Sequence, residues 1–140
     1  MNSINLFYVI DDDKVHQFTI KKIIEYAQMT SKVMCFDNGE HAIVFLTQLV
    51  KENQIDKYPE IILLDINMPV MDGWEFLEKY VLLKPKIGKK VLIYMVSSSN
   101  NQEDMDRAKA ISDVSDYIVK PITKEHIGKM VTYFQNMQIN

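Results

Sequence analysis

Leu6-Phe7-Tyr8-Val9-Ile10-Asp11-Asp12-Asp13 sets an unbroken apolar run against three successive acids. An apolar side chain at every position, rather than at every second one, is how a strand buried on both faces reads. The same signature recurs at Ile61-Ile62-Leu63-Leu64, at Val91-Leu92-Ile93-Tyr94-Met95-Val96 and at Tyr117-Ile118-Val119, and more weakly over Lys32 to Phe36. Between these runs Ile20, Ile23, Ile24 and Ala27 keep the spacing of one helix face, as do Ala42, Phe45, Leu46 and Leu49, and Ile127, Met130, Val131 and Phe134. The stretches 74–84 and 102–112 are less periodic, but Trp74, Leu77 and Val81, and then Met105, Ala108 and Ile111, supply an inner face for each. Five β-α units in succession imply parallel strands joined by right-handed crossovers, with helices on both faces of an open, doubly wound α/β sheet.

The 140 residues, 47% of them hydrophobic, suit one domain with a continuous core. No tandem repeat or Gly/Ser linker divides the chain, and the longest irregular pieces run from Asn53 to Pro59 and from Lys84 to Lys90. The second piece carries Lys84, Lys86, Lys89 and Lys90 and reads as a solvated loop in preference to an anion-binding patch. A net charge of -3 gives no strong positive field for nucleic acid. Cys35 is a lone cysteine in the apolar stretch Val33 to Phe36, read as a buried thiol in a reducing, cytoplasmic setting. No apolar run approaches the roughly 18 residues of a membrane span, and Met1-Asn2-Ser3 lacks the features of a signal peptide.

In a doubly wound sheet the functional crevice lies at the carboxyl ends of the strands, and here those ends are polar. They read Asp11-Asp12-Asp13, Asp65-Ile66-Asn67, Ser97-Ser98-Ser99 and Lys120-Pro121. Carboxylates packed together repel and lose solvation unless a cation neutralises them or some turn to water. Mg²⁺ takes about six oxygen ligands, one or two of them carboxylates, so Asp12, Asp65 and the Asn67 carbonyl would suit it. Asp13 reads better as the N-cap of the first helix. Lys120 is either a surface charge or a cation reaching an oxygen in the crevice, and Ser97 offers a hydroxyl to a phosphoryl oxygen. Together these supply a nucleophilic carboxylate, a metal, a hydroxyl donor and a cation, the parts that phosphoryl transfer requires.

From Leu6 to about Met137 the sequence resembles the bacterial two-component response-regulator receiver family. Val9-Ile10-Asp11-Asp12-Asp13 is similar to its acidic pocket, and Leu64-Asp65-Ile66-Asn67-Met68-Pro69-Val70-Met71-Asp72-Gly73 to its phosphoacceptor segment. Val96-Ser97-Ser98 and Tyr117-Ile118-Val119-Lys120-Pro121 are similar to its hydroxyl and lysine segments. The resemblance implies a flavodoxin-like (βα)5 fold with strand order 2-1-3-4-5, and a stand-alone, chemotaxis-type receiver over residues 4–138 with no output domain. It implies phosphorylation of Asp65 by a phosphohistidine on a sensor kinase or phosphotransfer protein, and a downstream protein target. Mg²⁺ would be held by Asp12, Asp65 and the Asn67 carbonyl, with Asp11 assisting through water, while Ser97 and Lys120 hold the phosphoryl oxygens. It also implies a switch that couples Ser97 to Tyr117, beside the plainer reading of Tyr117 as a half-buried strand aromatic with its hydroxyl in water. A cis Lys120–Pro121 bond, which would aim the lysine back into the crevice, is expected on the same grounds. Ser98 and Asp116 depart from the very small residues that the family often has at these places.

Such a receiver is no enzyme beyond its own phosphorylation and dephosphorylation. Two roles stay open: a diffusible effector, or a relay intermediate passing phosphate to another histidine. His16, His41 and His126 carry no phosphoacceptor motif and read as surface residues. An aspartate-dependent phosphatase would need a second acid where Asn67 stands. A flavin carrier would need hydroxyls and amides where Asp11, Asp12 and Asp13 stand. A binding module that never takes phosphate would leave the site residues without a reason.

Overall fold

The computed structural model describes the backbone of residues 4–27 and 31–139, and side chains as far as residue 137. Met1-Asn2-Ser3, and with them the N-terminal reading, lie outside the described residues. The chain alternates strands and helices: β1 (Leu6–Ile10), α1 (Lys14–Tyr26), β2 (Lys32–Phe36), α2 (Gly39–Glu52), β3 (Ile61–Asp65), α3 (Gly73–Ile87), β4 (Leu92–Ser97), α4 (Gln102–Lys109), β5 (Val114–Val119) and α5 (Lys124–Ile139). All paired strands are parallel, in the expected order β2-β1-β3-β4-β5.

Period-two alternation sends each central strand's side chains into two cores. Tyr8, Ile10, Ile62, Leu64, Ile93 and Met95 face α2, α3 and α4, whereas Phe7, Val9, Ile61, Leu63, Leu92 and Val96 face α1 and α5. Both sets are buried, which is why these strands read as continuous apolar runs. Cys35 is half-buried and packs at the margin of the second core.

Several boundaries differ from the sequence reading for local reasons. Strand β5 begins at Val114, ahead of the apolar run at Tyr117, and its pairing with β4 skips a residue between Ile93↔Val114 and Tyr94↔Asp116. It pairs with β4 alone, so Val119 remains 38% exposed instead of buried on both faces. The run from Lys84 is helical as far as Ile87, with Pro85 inside the last turns of α3 and Gly88 closing the helix in the left-handed region. Phe76, Leu77 and Tyr80 set the inner face of α3, which rotates Val81 outward to 46% exposure. In α1, Ile20 and Ile24 are buried but Ala27 is an exposed C-cap. The segment 53–59 contains a 3-10 turn, Ile55–Lys57, followed by buried Tyr58. Lysines of the second irregular piece are tied down, Lys84 to Asp113 and Lys89 to buried Glu60 at 2.5 Å.

Candidate functional site

Strands β1 and β3 are neighbours, with Ile10 in register with Leu64, so the residues just beyond them emerge side by side. The strand order reverses between β1 and β3, the place where ligands of doubly wound sheets bind. Asp11 follows β1 and Asp65 ends β3, and both are buried, at 2% and 5% exposure. Asp12 points to solvent, yet a carboxylate oxygen from each of Asp11, Asp12 and Asp65 lies within 4.8 Å of the others. From the end of β5, Lys120 Nζ sits 3.0 Å from Asp11 Oδ2 and 3.5 Å from Asp65 Oδ2. The surface-charge reading of Lys120 is thereby replaced, and the Lys120–Pro121 bond is cis.

These contacts set the charges. Burial, followed by the neighbouring Asp11 charge, pushes the Asp65 pKa up to about 7, against the opposing pull of Lys120. For Asp11 burial also acts upward, but hydrogen bonds from His16, the Asp13 amide and Lys120 outweigh it and hold the carboxyl below the usual range. Burial lowers the Lys120 pKa less than Asp11 and Asp65 raise it, so the ammonium is retained.

Local sequence fixes this geometry. Asp13 caps α1 by accepting from the Val15 and His16 amides at 3.0 and 3.2 Å, which turns the chain sharply after Asp12. Asp72 and Glu75 form a reciprocal capping box at the start of α3. Gly73 packs so close beneath β3 that a Cβ there would lie 2.5 Å from the Asp65 carbonyl oxygen. Between them Val70 has φ 70 and the Met71 amide donates to the Pro69 carbonyl at 2.7 Å, a tight three-residue turn.

Ser97 ends β4, fully buried, one position past the Asp65↔Val96 pair. Its Oγ accepts from the Ser99 amide at 3.1 Å, and its carbonyl accepts from the Lys120 amide at 2.8 Å. The Tyr117 hydroxyl donates to the Ser99 carbonyl at 2.8 Å. That ring is half-buried, and its hydroxyl bond to protein ties β5 to the loop that follows Ser97. Asn67 is exposed beside Asp65. A cavity of about 600 Å³ opens elsewhere, between β5 and α5, lined by Tyr94, Asp116, His126, Lys129 and Tyr133.

One site neighbour escaped the sequence reading. His16 is 6% exposed, not a surface residue, and its Nδ1 lies 2.7 Å from Asp11 Oδ2. The signal was present, because His16 continues the stripe of Ile20 and Ile24 by one helical turn toward the N-terminus. His41 is exposed, and His126 is half-buried with its ring against Thr123.

A 2-1-3-4-5 sheet with three carboxylates and a lysine at its switch point defines a narrow class of signalling domains. The chain belongs to the response regulator receiver domain family, whose family model matches residues 7–132. It is similar to a two-component response regulator from Cytophaga hutchinsonii, at 28% identity and TM-score 0.80 over 96% of this chain and 98% of that one. The response regulator Rcp1 of Synechocystis is 24% identical over 93% of this chain and 86% of its own length. A protein-glutamate methylesterase/protein-glutamine glutaminase of Methanococcoides burtonii is 27% identical over 92% of this chain, which spans only 34% of that longer protein.

Proposed function

We propose that this chain is a phosphoacceptor: Asp65 takes a phosphoryl group from a phosphohistidine on a sensor kinase or phosphotransfer protein and so switches a protein-binding face. The observation that carries this reading is the meeting of Asp65 with Asp11, Asp12 and Lys120 at the switch point of the sheet. Three acids face one ammonium there, so a divalent cation matches the charge left over when all are ionised. The donor set fits Mg²⁺, being oxygen throughout: Asp12 and Asp65 would supply carboxylates, Asn67 its carbonyl, and Asp11 a contact through water. Rcp1 has itself been solved in a Mn²⁺-bound form. The metal, when bound, offsets the negative charge of the phosphoryl oxygens.

In the transfer the P–N bond of the phosphohistidine breaks as an Asp65 oxygen bonds to phosphorus, and the imidazole leaves with its electron pair and takes a proton from water. Asp65 must be ionised to attack, and Lys120 beside it favours the charged form. Lys120 and the Ser97 hydroxyl hold the phosphoryl oxygens, Ser97 donating its own proton while its oxygen still accepts from the Ser99 amide. Tyr117, already bonded to the Ser99 carbonyl, carries a shift of that loop to β5. We read residues 4–138 as one receiver unit whose only chemistry is its own phosphorylation and dephosphorylation. Among the described residues no helix is long and apolar enough to cross a membrane, and a cytoplasmic place accords with the proposed partners.

Incubation with acetyl phosphate and Mg²⁺, followed by intact-mass measurement, tests this. A gain of one phosphoryl group is expected, lost in chelator and lost in Asp65→Asn. Labelling of Asp65→Asn at the wild-type rate would exclude Asp65 as the acceptor.

A further inference from the structure

The first turn of α1 holds a buried group for which phosphoryl transfer has no assigned task. His16 Nδ1 lies 2.7 Å from Asp11 Oδ2, and the Ile122 amide nitrogen lies 3.4 Å from His16 Nε2. A backbone amide only donates, so Nε2 accepts and the ring proton sits on Nδ1, facing the carboxylate; the hydrogen-bond partners assign this tautomer. One ring thus bridges α1, the acid following β1, and the turn that carries Lys120 away from β5. Asp11 has little freedom left. Its Oδ1 accepts from the Asp13 amide at 2.9 Å and from Lys120 at 3.3 Å, and its Oδ2 faces both His16 and Lys120. The Gln17 amide group, next along the helix, donates to the Asp11 carbonyl at 2.6 Å and fixes the backbone as well.

A carboxylate held on every side cannot swing toward an ion without breaking one of these bonds. Loss of the histidine would free one edge of Asp11 and slacken the 120–122 turn, so that Lys120 would no longer be fixed with respect to Asp65. We propose that His16 is a positioning residue for the cation site: through Nδ1 it locks Asp11 against Lys120, so that Asp12 and Asp65 are the carboxylates presented to the ion. The inference rests on the phosphoacceptor reading above. Hydrogen-bond partners one step removed from a metal commonly change its affinity by roughly 10–100-fold.

The test is Mg²⁺ affinity of the full chain by titration calorimetry without phosphodonor, alongside the thermal midpoint in chelator. His16→Asn places an amide donor near the position of Nδ1 but cannot reach Ile122. His16→Gln can accept from the Ile122 amide but gives up the short reach to Asp11, and His16→Leu removes both contacts. Wild-type affinity is expected for His16→Asn, and a loss of roughly tenfold or more for His16→Gln and His16→Leu. A purely structural histidine would move the chelator midpoints and leave Mg²⁺ affinity alone, and that pattern would overturn the proposal. So would His16→Asn losing as much affinity as His16→Gln. If His16→Leu does not fold, the comparison of the Asn and Gln variants decides. A wild-type chain that binds no Mg²⁺ removes the cation site itself and this proposal with it, an outcome distinct from one in which wild type binds and all the variants keep its full affinity.

Discussion

Val70 holds a backbone conformation that β-branched residues rarely adopt, because its Cβ crowds the neighbouring carbonyl when φ is positive. The residue is 71% exposed, so little gained by burial offsets the strain. The tight turn it forms lies between Asn67 and Asp72, in the loop that frames Asp65. Replacing it with glycine removes a cost of about 1–3 kcal/mol, partly offset by about 0.5–1 kcal/mol of added unfolded-state entropy. Val70→Gly should therefore stabilise the fold by about 1 kcal/mol, read as a higher denaturant midpoint. An unchanged or lowered midpoint would show that the turn is relaxed with valine in place. Nothing in the sequence pattern marks this position, since a valine in a loop carries no sign of its φ. Asp11, Asp65 and Lys120 were legible because each directly follows or ends an apolar run, and Asp12 because it continues the acidic stretch that Asp11 opens. His16 was legible only in part: it continues the buried stripe of Ile20 and Ile24, but nothing in the sequence directs that stripe at Asp11.

At the scale of elements, legibility followed burial. The runs in β1, β3 and β4 stood out because these strands are covered by helices on both faces, whereas β5, paired on one side only, mixes exposed Ser115 and Asp116 with apolar residues and hid its own start. The end of α3 was hidden by Pro85, a residue that ordinarily argues against helix but is accommodated here near the solvent-facing C-terminus. The start of α3 governs the site, because its first residue lies against the backbone of Asp65. A methyl group on Gly73 would approach the Asp65 carbonyl oxygen to 2.5 Å and Ile66 Cα to 3.0 Å, both backbone atoms with no rotamer to yield. Alanine is the better helix former by about 1 kcal/mol, but overpacking against backbone costs about 1–3 kcal/mol, so the clash should win. Gly73→Ala is expected to lower stability and to slow labelling of Asp65 by displacing the end of β3. Wild-type stability together with wild-type labelling would mean that α3 slides away without disturbing the site.

Across the whole molecule, the two edges of the sheet treat buried charge in opposite ways. At the amino edge Glu60 is fully matched: Oε1 accepts from the Asn5 and Leu6 amides at 2.8 and 2.9 Å, and Oε2 pairs with Lys89. At the carboxyl edge Asp11 and Asp65 share Lys120 with Asp12 close by, and the imbalance appears as the pKa of Asp65, raised by burial and by Asp11 to about 7. A carboxyl raised in the fold above its unfolded value of about 4 contributes stability that is full below pH ~4 and is lost as the pH rises through ~7. The depressed Asp11 acts in the opposite sense, its contribution lost only as the pH falls below the normal carboxylate range. In chelator, Asp65→Asn should therefore match wild type in stability near pH 4 and exceed it by pH 8, by an amount on the order of 1–4 kcal/mol. Mg²⁺ should narrow that gap at pH 8, because an ion that binds the folded site stabilises the charged wild type more than the variant. Thermal unfolding of both proteins across pH 4–8, with chelator and with Mg²⁺, reads both effects. A difference that does not vary with pH would mean that Asp65 carries no such penalty. Equal stabilisation of the two proteins by Mg²⁺ would place the ion away from Asp65.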